Sequence, residues 1–111
     1  MQESMQGIKR SYKCAELSSN NIGEKVTVMG WVQKRRNLGS LLFIDLRDVS
    51  GIVQIMFDET KSDSAVFEKA NSIRSEFVIA VTGTVVKRSG AVNKDLKTGE
   101  IEIAAKTLRI L

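Results

Sequence analysis

"VQKRRNLGSLLFIDLRDVSGIVQIMF", residues 32–57, decides the fold. Two alternating runs flank Asp48-Val49-Ser50-Gly51. In the first, Leu42, Ile44 and Leu46 point one way; Leu41, Phe43, Asp45 and Arg47 point the other. In the second, Val53, Ile55 and Phe57 share one face, and Ile52, Gln54 and Met56 the other. The four residues between read as a hairpin turn, with Gly51 free to take positive φ. Both strands therefore have one apolar face. The opposite face holds an aromatic ring, a guanidinium and an amide, and Lys34-Arg35-Arg36 lies just upstream.

Working outward, residues 25–34 alternate as a strand, with Val26, Val28 and Val32 on one parity. Gly30 interrupts it, as expected of a bulge or sharp bend. Residues 37–40 read as a loop. Upstream, 14–23 predict a short helical turn ended by Gly23. Residues 1–13 are polar and basic and read as a flexible N-terminal extension.

Downstream the period changes. Val66, Phe67, Ala70 and Ile73 predict a helix over 62–74, capped by Ser62 or Ser64. Strands follow at 77–86 and 100–111, joined by a long polar loop, 87–99. Three strands, a helix and two strands is the order of an all-β, five-stranded Greek-key OB-fold barrel. The barrel domain is placed at 14–111, with Val28, Leu42, Ile44, Val53, Ile55 and Ile101 in its core. In such a barrel the outer face of strands two and three, with the loops joining strands one to two and four to five, binds oligonucleotides or oligosaccharides.

Composition narrows the chemistry. The chain has 111 residues, no histidine and one cysteine. Without histidine there is neither a Ser-His-Asp or Cys-His arrangement nor an imidazole metal site. No phosphate-cradling glycine motif is present. No catalytic or metal-binding residue is assigned, and the chain alone is read as a binding module rather than an enzyme. Cys14 reads as a buried small residue in a reducing, cytoplasmic setting. No apolar run is long enough to span a membrane. A net charge of +4 and a pI near 9.4 fit a polyanionic partner.

Four residues stand out as binding candidates. Phe43 can stack on a single-stranded base, or it can pack beneath a loop. Gln54 can pair with the edge of uracil, or it can be a solvated strand residue. Arg36 can contact a phosphate or a base acceptor. Glu102 opposes the basic trend; a carboxylate there fits the two adjacent donors of guanine, or simply the solvent side of an alternating strand. Lys34, Arg35, Arg47, Lys87, Arg88 and Lys94 are candidates for RNA backbone contact. Trp31, within "GWV", is read as a packing residue.

The run "VTVMGWVQKRRNLGSLLFIDLRDVSGIVQIMF", with "IRSEFVIAVTGTVVKR" and "NKDLKTGEIEI" in order, resembles the N-terminal anticodon-binding domain of bacterial-type aspartyl-tRNA synthetases. The resemblance covers nearly the whole chain from Cys14 onward. It implies that Phe43 stacks on the middle anticodon base, a uridine, and that Gln54 and Arg36 hydrogen-bond nearby. It implies that Glu102 reads the first base, a guanosine or queuosine. One departure is Asn37, where the family commonly has aspartate. By the same resemblance, the partner is aspartate tRNA, with a GUC or QUC anticodon. The parent joins aspartate to that tRNA, using ATP and Mg in a catalytic domain not contained here, and is a homodimer through that domain. The open alternatives are an asparaginyl or lysyl counterpart, or a general single-strand-binding OB domain.

Overall fold

The strand alternation read from the sequence becomes five strands and one helix in a computed structural model that describes residues 10–61 and 63–111. The strands are β1 (Lys25–Leu38), β2 (Leu41–Asp48), β3 (Gly51–Asp58), β4 (Val78–Lys87) and β5 (Ile101–Ile110). Helix α1 (Ser64–Asn71) lies between β3 and β4. Two 3-10 turns, Cys14–Glu16 and Ser19–Asn21, precede the barrel.

The sheet closes in the order β1-β2-β3-β5-β4. All pairings are antiparallel except β3 with β5, which run parallel through Ile55↔Ile103 and Met56↔Ala104. β1 pairs with β4 along its first half and with β2 along its second. The inward set includes Val26, Val28, Val32, Leu42, Ile44, Leu46, Val53, Ile55, Phe57, Ile79, Val81, Ile101 and Ile103, all essentially inaccessible. Phe67, Ala70 and Ile73 close one end of this core. Each core position expected from the sequence is in this set.

Several local expectations are corrected. The register shift in β1 falls between Val32 and Lys34, not at Gly30. Gly30 is instead a point of close approach: a Cβ there would stand 2.2 Å from the Arg47 carbonyl oxygen. The expected loop at 37–40 shrinks to Gly39 and Ser40, because β1 continues to Leu38. Gly39 takes φ 77 at this tight turn. α1 is shorter than 62–74, and its cap is Asp63, whose carboxylate accepts from the Ala65 amide at 2.9 Å. Ser62 lies outside the described residues.

The flexible extension expected at 1–13 falls partly on residues 1–9, which lie outside the described residues. Within it, the Ser11 amide donates to the Thr27 carbonyl at 3.0 Å, and the Thr27 amide to Ser11 Oγ at 2.8 Å. The Cys14 amide donates to buried Asp48 Oδ2 at 2.8 Å, and the Ala15 amide to Ser50 Oγ at 2.9 Å. The first 3-10 turn is thereby fastened to the β2–β3 hairpin. Among the described residues no helix is long and apolar enough to cross a membrane.

Candidate nucleic-acid interface

Outward positions from four strands converge at one end of the barrel. Arg36 of β1 pairs with Phe43 of β2, and Asp45 of β2 pairs with Gln54 of β3. Glu102 of β5 pairs with Val86 of β4, beside the start of the β4–β5 loop. The parallel register places Glu102 next to Gln54, one step before Ile55↔Ile103.

These side chains form one hydrogen-bonded set. Gln54 Nε2 donates to Glu102 Oε1 at 2.8 Å. Gln54 Oε1 accepts from Arg88 Nη2 at 2.7 Å and from Arg36 Nη2 at 3.1 Å. The amide can sit only this way round, since the flipped form would set its NH2 against two guanidiniums. Ser89 Oγ lies 3.2 and 3.0 Å from the two Glu102 oxygens, so its hydroxyl donates to the carboxylate. Two cations face one anion, and the set keeps a positive balance. The Arg88 Nη1 is buried and makes no hydrogen bond among the described residues.

The burial differs from the sequence expectation of an open face. Gln54 and Glu102 are each 1% exposed, although both project outward. Glu102 is therefore not a solvated residue of an alternating strand. Phe43 is 7% exposed, and the Arg36 guanidinium carbon stands 5.2 Å from its ring centroid, within cation–π range. What remains open is a cleft of about 290 Å³, lined by Arg36, Leu38, Phe43, Gln54, Arg88, Ser89, Gly90 and Ala91.

The other basic candidates divide. Lys34, Lys87 and Lys94 are exposed. Arg47 is on the Phe43 face but further along β2, where its Nε donates to Gln33 Oε1. Arg35 is turned away from the cleft: its Nη2 donates to the Asn71 carbonyl at 3.1 Å, at the end of α1. The reason is parity, since Arg35 pairs with core residue Ile44. Asn37 Oδ1 accepts from the Gly39 amide at 3.0 Å, so the amide in place of aspartate still closes the turn. Ser89 was not legible as part of the site; only the β4–β5 register brings it to Glu102. Among the described residues no cluster of His, Cys, Asp and Glu could hold a metal ion.

Known proteins share this architecture. Residues 26–111 match the family model of the tRNA anticodon type, described as an OB-fold nucleic acid binding domain. The aspartate-tRNA ligase of Agathobacter rectalis is 66% identical over the whole chain, which spans 19% of that protein. The aspartate-tRNA(Asp/Asn) ligase of Lachnoclostridium phytofermentans is 59% identical, again over the whole chain and 19% of its own length. The asparaginyl-tRNA synthetase of Pyrococcus horikoshii superposes with a TM-score of 0.76 at 27% identity, covering 90% of this chain and 22% of that one. The chain thus spans about a fifth of the curated relatives it matches. It belongs to the tRNA anticodon-type family of OB-fold nucleic acid binding domains, and within that family it matches the corresponding region of bacterial aspartate-tRNA ligases.

Proposed function

We propose that this chain reads the anticodon of aspartate tRNA on behalf of a longer ligase, which joins aspartate to that tRNA using ATP and Mg and works as a homodimer in the cytoplasm. The observation that carries the reading is the cleft that joins Phe43 to the Gln54 amide, with the buried Glu102 carboxylate hydrogen-bonded directly behind that amide. An aromatic face alone would bind any single strand. The amide and carboxylate add edges that discriminate, because a wrong base leaves a buried polar group unpaired.

In this reading the middle base, a uridine, stacks on Phe43. Arg36 now covers that ring and swings aside or onto the far face of the base. The exchange is favourable in magnitude: base stacking is worth about 1–3 kcal/mol, against about 0.5–1 kcal/mol for a partly exposed cation–π contact. Gln54 and Arg36 then pair with the uridine edge. Glu102 accepts from the N1 and N2 donors of a guanosine at the first position. Lys34, Lys87, Arg88 and Lys94 meet the phosphates; Arg35 drops out of this set, because it holds α1.

The test is calorimetric titration of the chain with an aspartate anticodon stem-loop and with loops changed at one base. A clear preference for GUC over loops altered at the first or middle base is expected. Equal affinity for all of them would reduce the chain to a general single-strand binder.

A further inference from the structure

The outer surface of the β1–β4 ribbon is polar at one end and apolar at the other. Lys25 pairs with Thr84 and Thr27 with Thr82, and the two threonine hydroxyls meet at 2.9 Å. Further along, Met29 pairs with Ala80 and Trp31 with Val78. Their neighbours Val28, Val32, Ile79 and Val81 are fully buried, so by alternation these four lie on the outer side, where Ala80 is nonetheless covered and Met29 and Trp31 are half-buried. Phe77 extends the row: it is 37% exposed and Val78 47%. The Phe77 carbonyl accepts from the Val32 amide at 2.8 Å, and the Glu76 amide donates to the Val32 carbonyl at 2.8 Å. Glu76 is held at φ 73, a conformation unfavourable for a side-chain-bearing residue. RNA reading uses none of these residues. The Leu111 amide donates to the Val78 carbonyl at 2.8 Å, so a polypeptide continuing past 111 leaves from the rim of this patch.

We propose that the Trp31–Phe77–Val78 patch is the docking surface for the folded remainder of the parent ligase, the part of the same polypeptide beyond Leu111. The inference rests on the reading of this chain as one domain of a longer ligase. Its relatives are about five times longer, since the chain covers 19% of them. A few apolar side chains fall short of the roughly 800 Å² per partner that a freely diffusing dimer uses. A tethered neighbour needs less, because a short linker supplies effective concentrations on the order of millimolar. Arg47 and Arg109 lie across from Trp31 and Ala80, giving the apolar patch a charged border, as interfaces between folded units have.

Thiol labelling tests this directly. Cys14 is the chain's one cysteine and is buried, so a Val78→Cys variant reports on position 78. Its labelling rate is compared in the isolated chain and in the Agathobacter rectalis ligase carrying this chain in place of its matching region. Labelling about tenfold slower or more in the full ligase is expected. Val49→Cys, at an 87% exposed hairpin position, should label equally in both. Equal rates at position 78 overturn the proposal. So does a severalfold loss of stem-loop affinity in isolated Trp31→Ser, which would assign the patch to RNA. Dimerisation of the isolated chain that Val78→Ser abolishes would assign it to a second copy, and would overturn the proposal too. Failure of the unsubstituted chain to bind a stem-loop would instead sink the anticodon reading, so the two failures are distinguishable.

Discussion

On the proposed reading, Gln54 has two duties that conflict in the free protein. Its amide bonds Arg36, Arg88 and Glu102 at once while itself almost wholly buried. Gln54→Ala removes an acceptor shared by two guanidiniums and leaves the Glu102 carboxylate with Ser89 alone of its two side-chain donors. It should therefore cost about 1–3 kcal/mol of folding stability, read as a lower urea midpoint, besides flattening the preference for uridine. Phe43→Ala should weaken all stem-loops alike, by about 1–3 kcal/mol, because stacking is tolerant of base identity. Glu102→Gln tests the sign of charge just behind the cleft. An amide there should weaken binding of a guanosine-first stem-loop, even though removing a negative charge favours phosphate. Titration of both proteins with guanosine-first and adenosine-first loops decides; equal or tighter guanosine-first binding by the variant removes Glu102 from the reading.

At the level of the elements, close approach matters more than propensity. Gly30→Ala should cost about 2 kcal/mol or more in a urea melt, since its Cβ would press on the Arg47 carbonyl where β1 passes from β4 to β2. That role was not legible, because a strand glycine looks the same whether it bends its own strand or makes room for another. What was legible had a short period. Leu42, Ile44 and Leu46, and then Val53, Ile55 and Phe57, are inward as two-residue alternation requires. Arg35 misled because three consecutive basic residues hide the parity that sends the middle one toward α1. The helix cap misled similarly: serine and aspartate are near-equal caps, and which one serves depends on where the chain leaves β3. Phe43, Gln54 and Glu102 stand out as candidates in the sequence by their oddity on a face, and the structure brings them together. Their burial was not legible, since it needs the β3–β5 register and Ser89, all distant in sequence.

At the scale of the whole molecule, the Asp48 carboxylate is one of the groups that couple the N-terminal turn to the barrel. Burial pushes the Asp48 carboxyl upward, but hydrogen bonds from Ser50 and the Cys14 amide outweigh it, and the group sits below the ordinary aspartate value. A depressed carboxyl contributes its stability above the unfolded value, about 3.9, and loses it as pH falls through the lower folded value. Thermal melts should be level in this respect near neutrality and fall in acid, with Asp48→Asn flattening the acid limb. Burial also pushes the Cys14 thiol up, so it stays protonated and slow to alkylate in the folded chain. Binding of RNA belongs to this scale as well. With a net charge of +4, affinity for a stem-loop should fall steadily with salt, by a log–log slope of roughly 0.7 per single-strand phosphate contacted.

The parallel junction of β3 and β5 has a consequence for how the protein is made. It joins Ile55 to Ile103, and because β5 sits between β3 and β4, the free borders of both stay uncovered until that last strand is in place. On a ribosome the chain must therefore wait, with sheet borders open to wrong partners, until β5 has left the exit tunnel. Glu102 arrives with that strand. Barrel closure and completion of the Gln54–Glu102 pair are one event in biosynthesis, so a nascent chain arrested before β5 holds Phe43 and Gln54 but lacks the carboxylate proposed to read the first base.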